Sequence, residues 1–178
     1  MKAKKSLGQH FLRSERALNT IVSTGEVTST DTILEIGPGE GALTEKLLGA
    51  RCLVIAVEKD DQLYDLLKIK FSKEIADGRL ILIHDDILNF DIKNYLLSTV
   101  YYKLIANIPY NITGAIFKKF LESDNQPSKM VLLIQKEVAE RIIAHSRHGV
   151  STGGKESVLS ISVKAYGKPK FIEKVLAG

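Results

Sequence analysis

The chain has 178 residues, 44% of them hydrophobic and 26% charged, with a formal net charge of +4. That length allows one substantial core and is short for two, and the composition is globular rather than disordered or fibrous. A single cysteine, Cys52, excludes an internal disulfide and a cysteine-rich zinc site, and no apolar run approaches the roughly 18 residues of a membrane-spanning helix.

The start, Met1-Lys2-Ala3-Lys4-Lys5, leads into no apolar stretch of signal-peptide length, so a cytoplasmic protein is expected. Lys2, Lys4, Lys5, Arg13 and Arg16 crowd the opening against one acid, Glu15, and Lys164, Lys168, Lys170 and Lys174 recur near the end. These two basic ends are candidates to flank a phosphate-bearing ligand, with a solvated charged surface as the alternative. Ile33-Leu34-Glu35-Ile36 reads as a first strand, followed by glycines and a helical pattern over Ala42 to Leu48. Leu53 to Val57 is a second strand with a helix from Gln62 to Phe71, Leu80 to Ile83 a third, and Lys103 to Ala106 a fourth with a helix from Ala115 to Leu121. Met130 to Ile134 is a fifth, with a helix from Lys136 to Ala144. A loop is expected over His145 to Lys155, where Arg147 and Lys155 are candidate RNA contacts. Ser157 to Ala165 alternates apolar with polar and predicts another strand, and Phe171 to Val175 a last one. Short apolar strands alternating with amphipathic helices give an α/β fold, a doubly wound parallel sheet covered on both faces.

Glu35-Ile36-Gly37-Pro38-Gly39-Glu40-Gly41 lies between the first strand and the first helix, where backbone N–H groups meet a ligand and Gly37 and Gly39 permit close approach. The spacing G-x-G-x-G differs from the dinucleotide G-x-G-x-x-G, and no Gly-Lys-Ser/Thr cradles phosphates. A phosphate-free nucleoside ligand is favoured. S-adenosylmethionine fits, with NAD as the rival. Glu58, ending the second strand, is placed to accept hydrogen bonds from ribose hydroxyls. One carboxylate of Asp85-Asp86, after the third strand, is placed to accept from an adenine amine. No metal is expected, because no histidine cluster accompanies these acids.

Asn107-Ile108-Pro109-Tyr110 follows the fourth strand. An amine on an aromatic base is a poor nucleophile because its lone pair is delocalised, so its N–H groups must be gripped by acceptors that turn the lone pair toward an electrophile. The Asn107 side-chain carbonyl is one acceptor and a backbone carbonyl at Ile108 or Pro109 another, held in direction by the proline. Tyr110 supplies a face on which an unstacked base regains about 1–3 kcal/mol. Taken alone, the four residues also fit an ordinary strand-end turn.

The start Lys4-Lys5-Ser6-Leu7-Gly8-Gln9-His10-Phe11-Leu12 resembles the signature of the ribosomal RNA adenine dimethyltransferase family. Ile33 to Gly41, His84 to Leu88, Asn107 to Tyr110 and Gln135 to Arg141 are similar to four further blocks of that family, in order along nearly the whole chain. The resemblance implies a seven-stranded, mostly parallel Rossmann-like methyltransferase sheet. It also implies S-adenosyl-L-methionine contacts from His10, Leu12, Gly37, Glu58, Asp86 and Asn107, and selects Asp86 over Asp85. Gln9 would lie near the methionine end, while Asn107 and Tyr110 hold the target adenine. The implied activity is dimethylation of the N6 amine of two adjacent adenines in a hairpin near the 3′ end of small-subunit rRNA, as free RNA or in an immature small ribosomal subunit. The alternatives are a large-subunit enzyme of the macrolide-resistance type and a binding protein that checks ribosome assembly.

Two departures from the family pattern stand out. Glu156-Ser157 replaces the usual Tyr-Gly, and the chain stops at Leu176-Ala177-Gly178 where members continue into a Phe-x-Pro-x-Pro-like segment and a small helical domain. Residues 1–178 are therefore expected to be the catalytic domain alone, as a fragment or as an unusually short member.

Overall fold

Short apolar segments separated by amphipathic helices fit the strands of a parallel sheet covered on both faces. The computed structural model, which describes residues 14–96, 101–143 and 158–175 apart from the side chains of Tyr110 and Val158, has that arrangement. Its elements run α1 (Glu15–Thr24), β1 (Thr32–Ile36), α2 (Ala42–Gly49), β2 (Leu53–Glu58), α3 (Asp61–Lys70), α4 (Ser72–Ala76), β3 (Leu80–His84) and β4 (Lys103–Asn107). They continue with α5 (Thr113–Leu121), β5 (Lys129–Leu133), α6 (Lys136–Ile143) and α7 (Val158–Tyr166). The sheet order is β3-β2-β1-β4-β5 and every pairing is parallel. The order reverses between β1 and β4, so a crevice opens there at the carboxyl ends of the strands, where sheets of this type bind ligands.

Strand alternation sorts the core into two layers. Leu34, Ile36, Ile55, Val57, Leu104 and Ala106 face one side, against Ile116 and Phe120 of α5 and Phe90 and Ile92 of the β3–β4 connection. Ile33, Val54, Ala56 and Ile105 face the other, against Leu18 and Ile21 of α1, Leu43 and Leu47 of α2 and Leu67 of α3. Each fully buried aliphatic side chain stabilises by about 1.5–3 kcal/mol. Cys52 lies in this second layer, where its thiol donates to the Leu47 carbonyl.

Helix α1 carries no expectation from the sequence patterns above. Ser14 starts it, its Oγ accepting from the Ala17 N–H at 3.3 Å, and Ala17, Leu18 and Ile21 form its buried stripe. Helix α7 replaces the strand expected over Ser157 to Ala165. Residues four apart share a side in a strand and nearly so in a helix, so the apolar alternation fits both. Packing decides for the helix: Leu159 and Val163 join Phe117 of α5 and Val138 and Ile142 of α6, while Ile161 is 56% exposed. The buried Ser160 hydroxyl donates to the Ile142 carbonyl at 2.9 Å, which secures α7 to α6. Phe171 to Val175, expected as a final strand, has no regular structure. Among the described residues the sheet therefore has five strands rather than seven. The loop expected over His145 to Lys155 lies outside the described residues.

Candidate nucleoside and amine site

Four of the predicted groups meet at the carboxyl ends of adjacent strands. β1 ends in the glycine turn, where Gly37, Gly39 and Gly41 have φ of 61°, 62° and 82°. These left-handed values suit glycine and strain other residues. A Cβ on Gly37 would meet nothing within 4 Å, so the turn has open space at this point. Gly41 is the opposite case: a Cβ there would lie 2.5 Å from Phe71 Cε2, so the turn rests tightly on the helical layer.

Glu58 ends β2 and is only 5% exposed. Its Oε1 accepts from the Lys59 and Asp60 N–H groups, both at 2.9 Å, and its Oε2 from Gly39 N–H at 3.1 Å. Burial pushes its pKa up, opposed by these three donors and reinforced by Asp60. The Gly39 contact fastens the glycine turn to the end of β2. With one donor bound, Oε2 keeps acceptor capacity for a ligand hydroxyl.

After β3, Asp85 Oδ1 accepts from Asp86 N–H at 2.7 Å. Asp86 Oδ1 accepts from Leu88 N–H at 2.9 Å and its Oδ2 from Lys59 Nζ at 2.7 Å. Lys59 and then the Leu88 N–H hold the Asp86 carboxyl below its usual range, outweighing burial. Lys119 of α5 donates to the Leu88 carbonyl at 3.1 Å and braces this turn from the neighbouring helix.

Asn107 is the last residue of β4 and is half-buried. Ile108 N–H donates to the Leu133 carbonyl, continuing the β4–β5 pairing past the strand end. Pro109, with φ −57° and ψ 135°, turns the chain, and its carbonyl accepts from Ile112 N–H and Thr113 Oγ1 at the start of α5. That carbonyl is thereby engaged in the turn. Tyr110 opens the short 3-10 turn Tyr110–Ile112.

Gln9, His10 and Leu12, expected around the cofactor, lie outside the described residues, as do Lys2, Lys4, Lys5 and Arg13. Arg16 lies 3.4 Å from Glu173, so the start of α1 and the segment bearing Lys170 and Lys174 are neighbours. Two groups at the site have no counterpart in the expected set: Lys59, and Glu35 beneath the glycine turn. Glu35 is 1% exposed, and its Oε2 lacks a hydrogen-bond partner, as does Thr44 Oγ1. Burial pushes the Glu35 carboxyl up to about 8, with Thr44 opposing and Glu58 reinforcing. Among the described residues no group of three His, Cys, Asp or Glu side chains is placed to hold a metal ion, and no helix is long and apolar enough to cross a membrane.

Residues 1–177 match the family model described as ribosomal RNA adenine dimethylase. A ribosomal RNA small subunit methyltransferase A of Dehalococcoides mccartyi is 46% identical over 178 residues, which is 100% of this chain and 58% of that protein. The chain thus spans little more than half the length of this curated relative. Among solved structures, a dimethyladenosine transferase from Plasmodium falciparum superposes with a TM-score of 0.69 at 30% identity, over 87% of this chain and 52% of that one. The 23S rRNA methyltransferase ErmE superposes with a TM-score of 0.63 at 29% identity, over 74% and 50%.

Proposed function

The chain belongs to the ribosomal RNA adenine dimethylase family, and from that premise we propose that it transfers methyl groups from S-adenosylmethionine to the N6 amine of adenines in small-subunit rRNA. The two adjacent adenines of the 3′-terminal hairpin and a cytoplasmic site of action belong to the same proposal, with residues 1–178 as the methyltransferase unit. The observation that carries it is the convergence of the glycine turn, Glu58, Asp86 and Asn107 at the carboxyl ends of β1 to β4, beside the β1–β4 reversal.

The residues present fit an adenosyl cofactor. Open space at Gly37 admits its amino-acid end, Glu58 Oε2 accepts from the ribose, and Asp86 accepts from the adenine amine. Gln9, His10 and Leu12 complete the enclosure in this proposal. When bound, the cofactor supplies an electrophilic methyl group on a sulfonium. The chain's own task is to position the amine. Unstacking a base costs a few kcal/mol, of which the Tyr110 ring returns about 1–3. The Asn107 side-chain carbonyl accepts one N–H of the target amine. The Pro109 carbonyl is taken up by Ile112 and Thr113, which leaves the Ile108 carbonyl as the backbone acceptor. Two fixed acceptors turn the amine lone pair toward the methyl carbon, and the methylated amine is acidic enough to release its proton to water. Arg16, neighbour to the segment bearing Lys170 and Lys174, is offered with those lysines as a support for RNA phosphates.

The test uses labelled S-adenosylmethionine with small subunits lacking this modification, and large subunits in parallel, followed by nucleoside digestion. Labelled dimethyladenosine from small subunits alone is expected. Label confined to large subunits would move the assignment to the reaction named for ErmE. Asn107→Ala is expected to depress turnover by about 10²–10³-fold, the usual effect of removing one positioned hydrogen-bonding group, with much less effect on cofactor affinity. Unchanged turnover would remove Asn107 from the acceptor role.

A further inference from the structure

Lys59 contacts both carboxylates assigned to the nucleoside. Its backbone N–H donates to Glu58 Oε1 at 2.9 Å, and its Nζ donates to Asp86 Oδ2 at 2.7 Å. The side chain therefore runs from the carboxylate assigned to the ribose to the carboxylate assigned to the base. The other Asp86 oxygen already accepts from Leu88 N–H at 2.9 Å, so an incoming amine meets a carboxylate with a donor on each oxygen. The Lys59 side chain is 60% exposed, which gives its ammonium an easy path back to water. The pair is therefore weak enough to be exchanged.

Resting on the adenosyl-cofactor reading above, we propose that Lys59 is a placeholder for the cofactor's base, pairing with Asp86 in the free protein and yielding that carboxylate to the exocyclic amine on binding. Lys59 is then a positioning residue that sets affinity and helps select the base. An amine that takes Asp86 Oδ2, the oxygen Lys59 holds, displaces the lysine. A base with a carbonyl there offers Asp86 no donor and instead accepts from the lysine.

Calorimetric titration of the full chain with S-adenosylhomocysteine, which lacks the sulfonium charge, tests this at low and high salt. Lys59→Met keeps the length of the stem and removes the ammonium. It is expected to bind roughly two- to fivefold more tightly than the parent at low salt, the worth of an exposed ion pair. The parent's affinity should approach the variant's as salt screens the pair, while the variant stays flat. Lys59→Arg, which keeps a cation, should retain the parent's salt response. The inosine counterpart, S-inosylhomocysteine, should change in the opposite direction and bind Lys59→Met more weakly than the parent. Equal or weaker binding of S-adenosylhomocysteine by Lys59→Met would overturn the placeholder role while leaving the cofactor reading intact. Failure of the parent to bind S-adenosylhomocysteine at all would overturn the cofactor reading and this inference with it.

Discussion

Two buried glutamates near neighbouring strand ends behave differently because their donors differ. Glu58 collects three backbone N–H groups, whereas Glu35 keeps an oxygen with no partner. Burial, only partly opposed by Thr44 and reinforced by Glu58, is why Glu35 is pushed up to about 8. The unfolded chain loses this proton near pH 4.5 and the folded chain only near 8, so the folded state holds more protons between those values. Stability from this group is fully present below about 4.5 and is lost as pH rises through about 8. Glu35→Gln imitates the protonated form. Melting curves should match the parent at the acid end of that window and show the variant more stable at the alkaline end, by on the order of a few kcal/mol. Glu58, raised in the same direction, leaves a residual slope in both proteins. Parallel curves across the window would mean that Glu35 is ionised throughout. Strand ends are visible in a linear chain, which is why Glu58, the Asp85-Asp86 pair and Asn107 were legible as site candidates, with Asp86 singled out only by the family resemblance. The Lys59–Asp86 pair joins residues 27 apart through space, and no local pattern announces it.

At the scale of elements, the β-α alternation was legible from β1 through α6, to residue 143, because strands of a covered parallel sheet read as apolar runs between turns. α7 was misread because its amphipathic period is carried mainly by Leu159 and Val163, four apart. Helix α1 carries its own signal, Ser14 followed by an apolar stripe, which the charged residues around it mask. The glycine turn shows how local conformation and packing add. Gly37 and Gly41 both have positive φ, but only Gly41 faces a neighbour that a Cβ would strike. Gly37→Ala should cost about 1 kcal/mol, the left-handed penalty alone. Gly41→Ala adds the displacement of Phe71 from a filled core and should cost about 2–4 kcal/mol. Urea unfolding at unchanged slope measures both, and equal costs would mean that the Phe71 ring yields freely.

Across the whole molecule, the two ends of the sheet divide stability from chemistry. Glu58, Asp86 and Asn107 lie at the carboxyl ends, while a belt of ion pairs closes the amino ends. Lys103 of β4 donates to Asp31 Oδ2 and to the Glu26 carbonyl, both at 2.8 Å, and Lys129 of β5 meets Glu26 at 2.7 Å. Asp31 also accepts from the N–H and hydroxyl of Thr28. This belt ties β1 to β4, the neighbours that are not consecutive in the chain and whose closure carries the largest loop entropy. Burial alone would raise the Asp31 carboxyl, but Lys103 and Thr28 outweigh it and hold it below its usual value. A depressed carboxyl contributes stability that is present above its unfolded value, near 4, and is lost as pH falls through the lower folded value. Asp31→Asn should therefore destabilise by about 1–3 kcal/mol at neutral pH, with the gap to the parent narrowing below about pH 4. Lys103 and Asn107 stand at opposite ends of β4, about 13 Å apart at strand rise. Methyl transfer per folded molecule should accordingly be unchanged in Asp31→Asn when assayed well below its melting temperature. A loss of turnover out of proportion to the loss of folded protein would show that the amino-end belt sets the position of Asn107, and that the two ends of the sheet are coupled through β4.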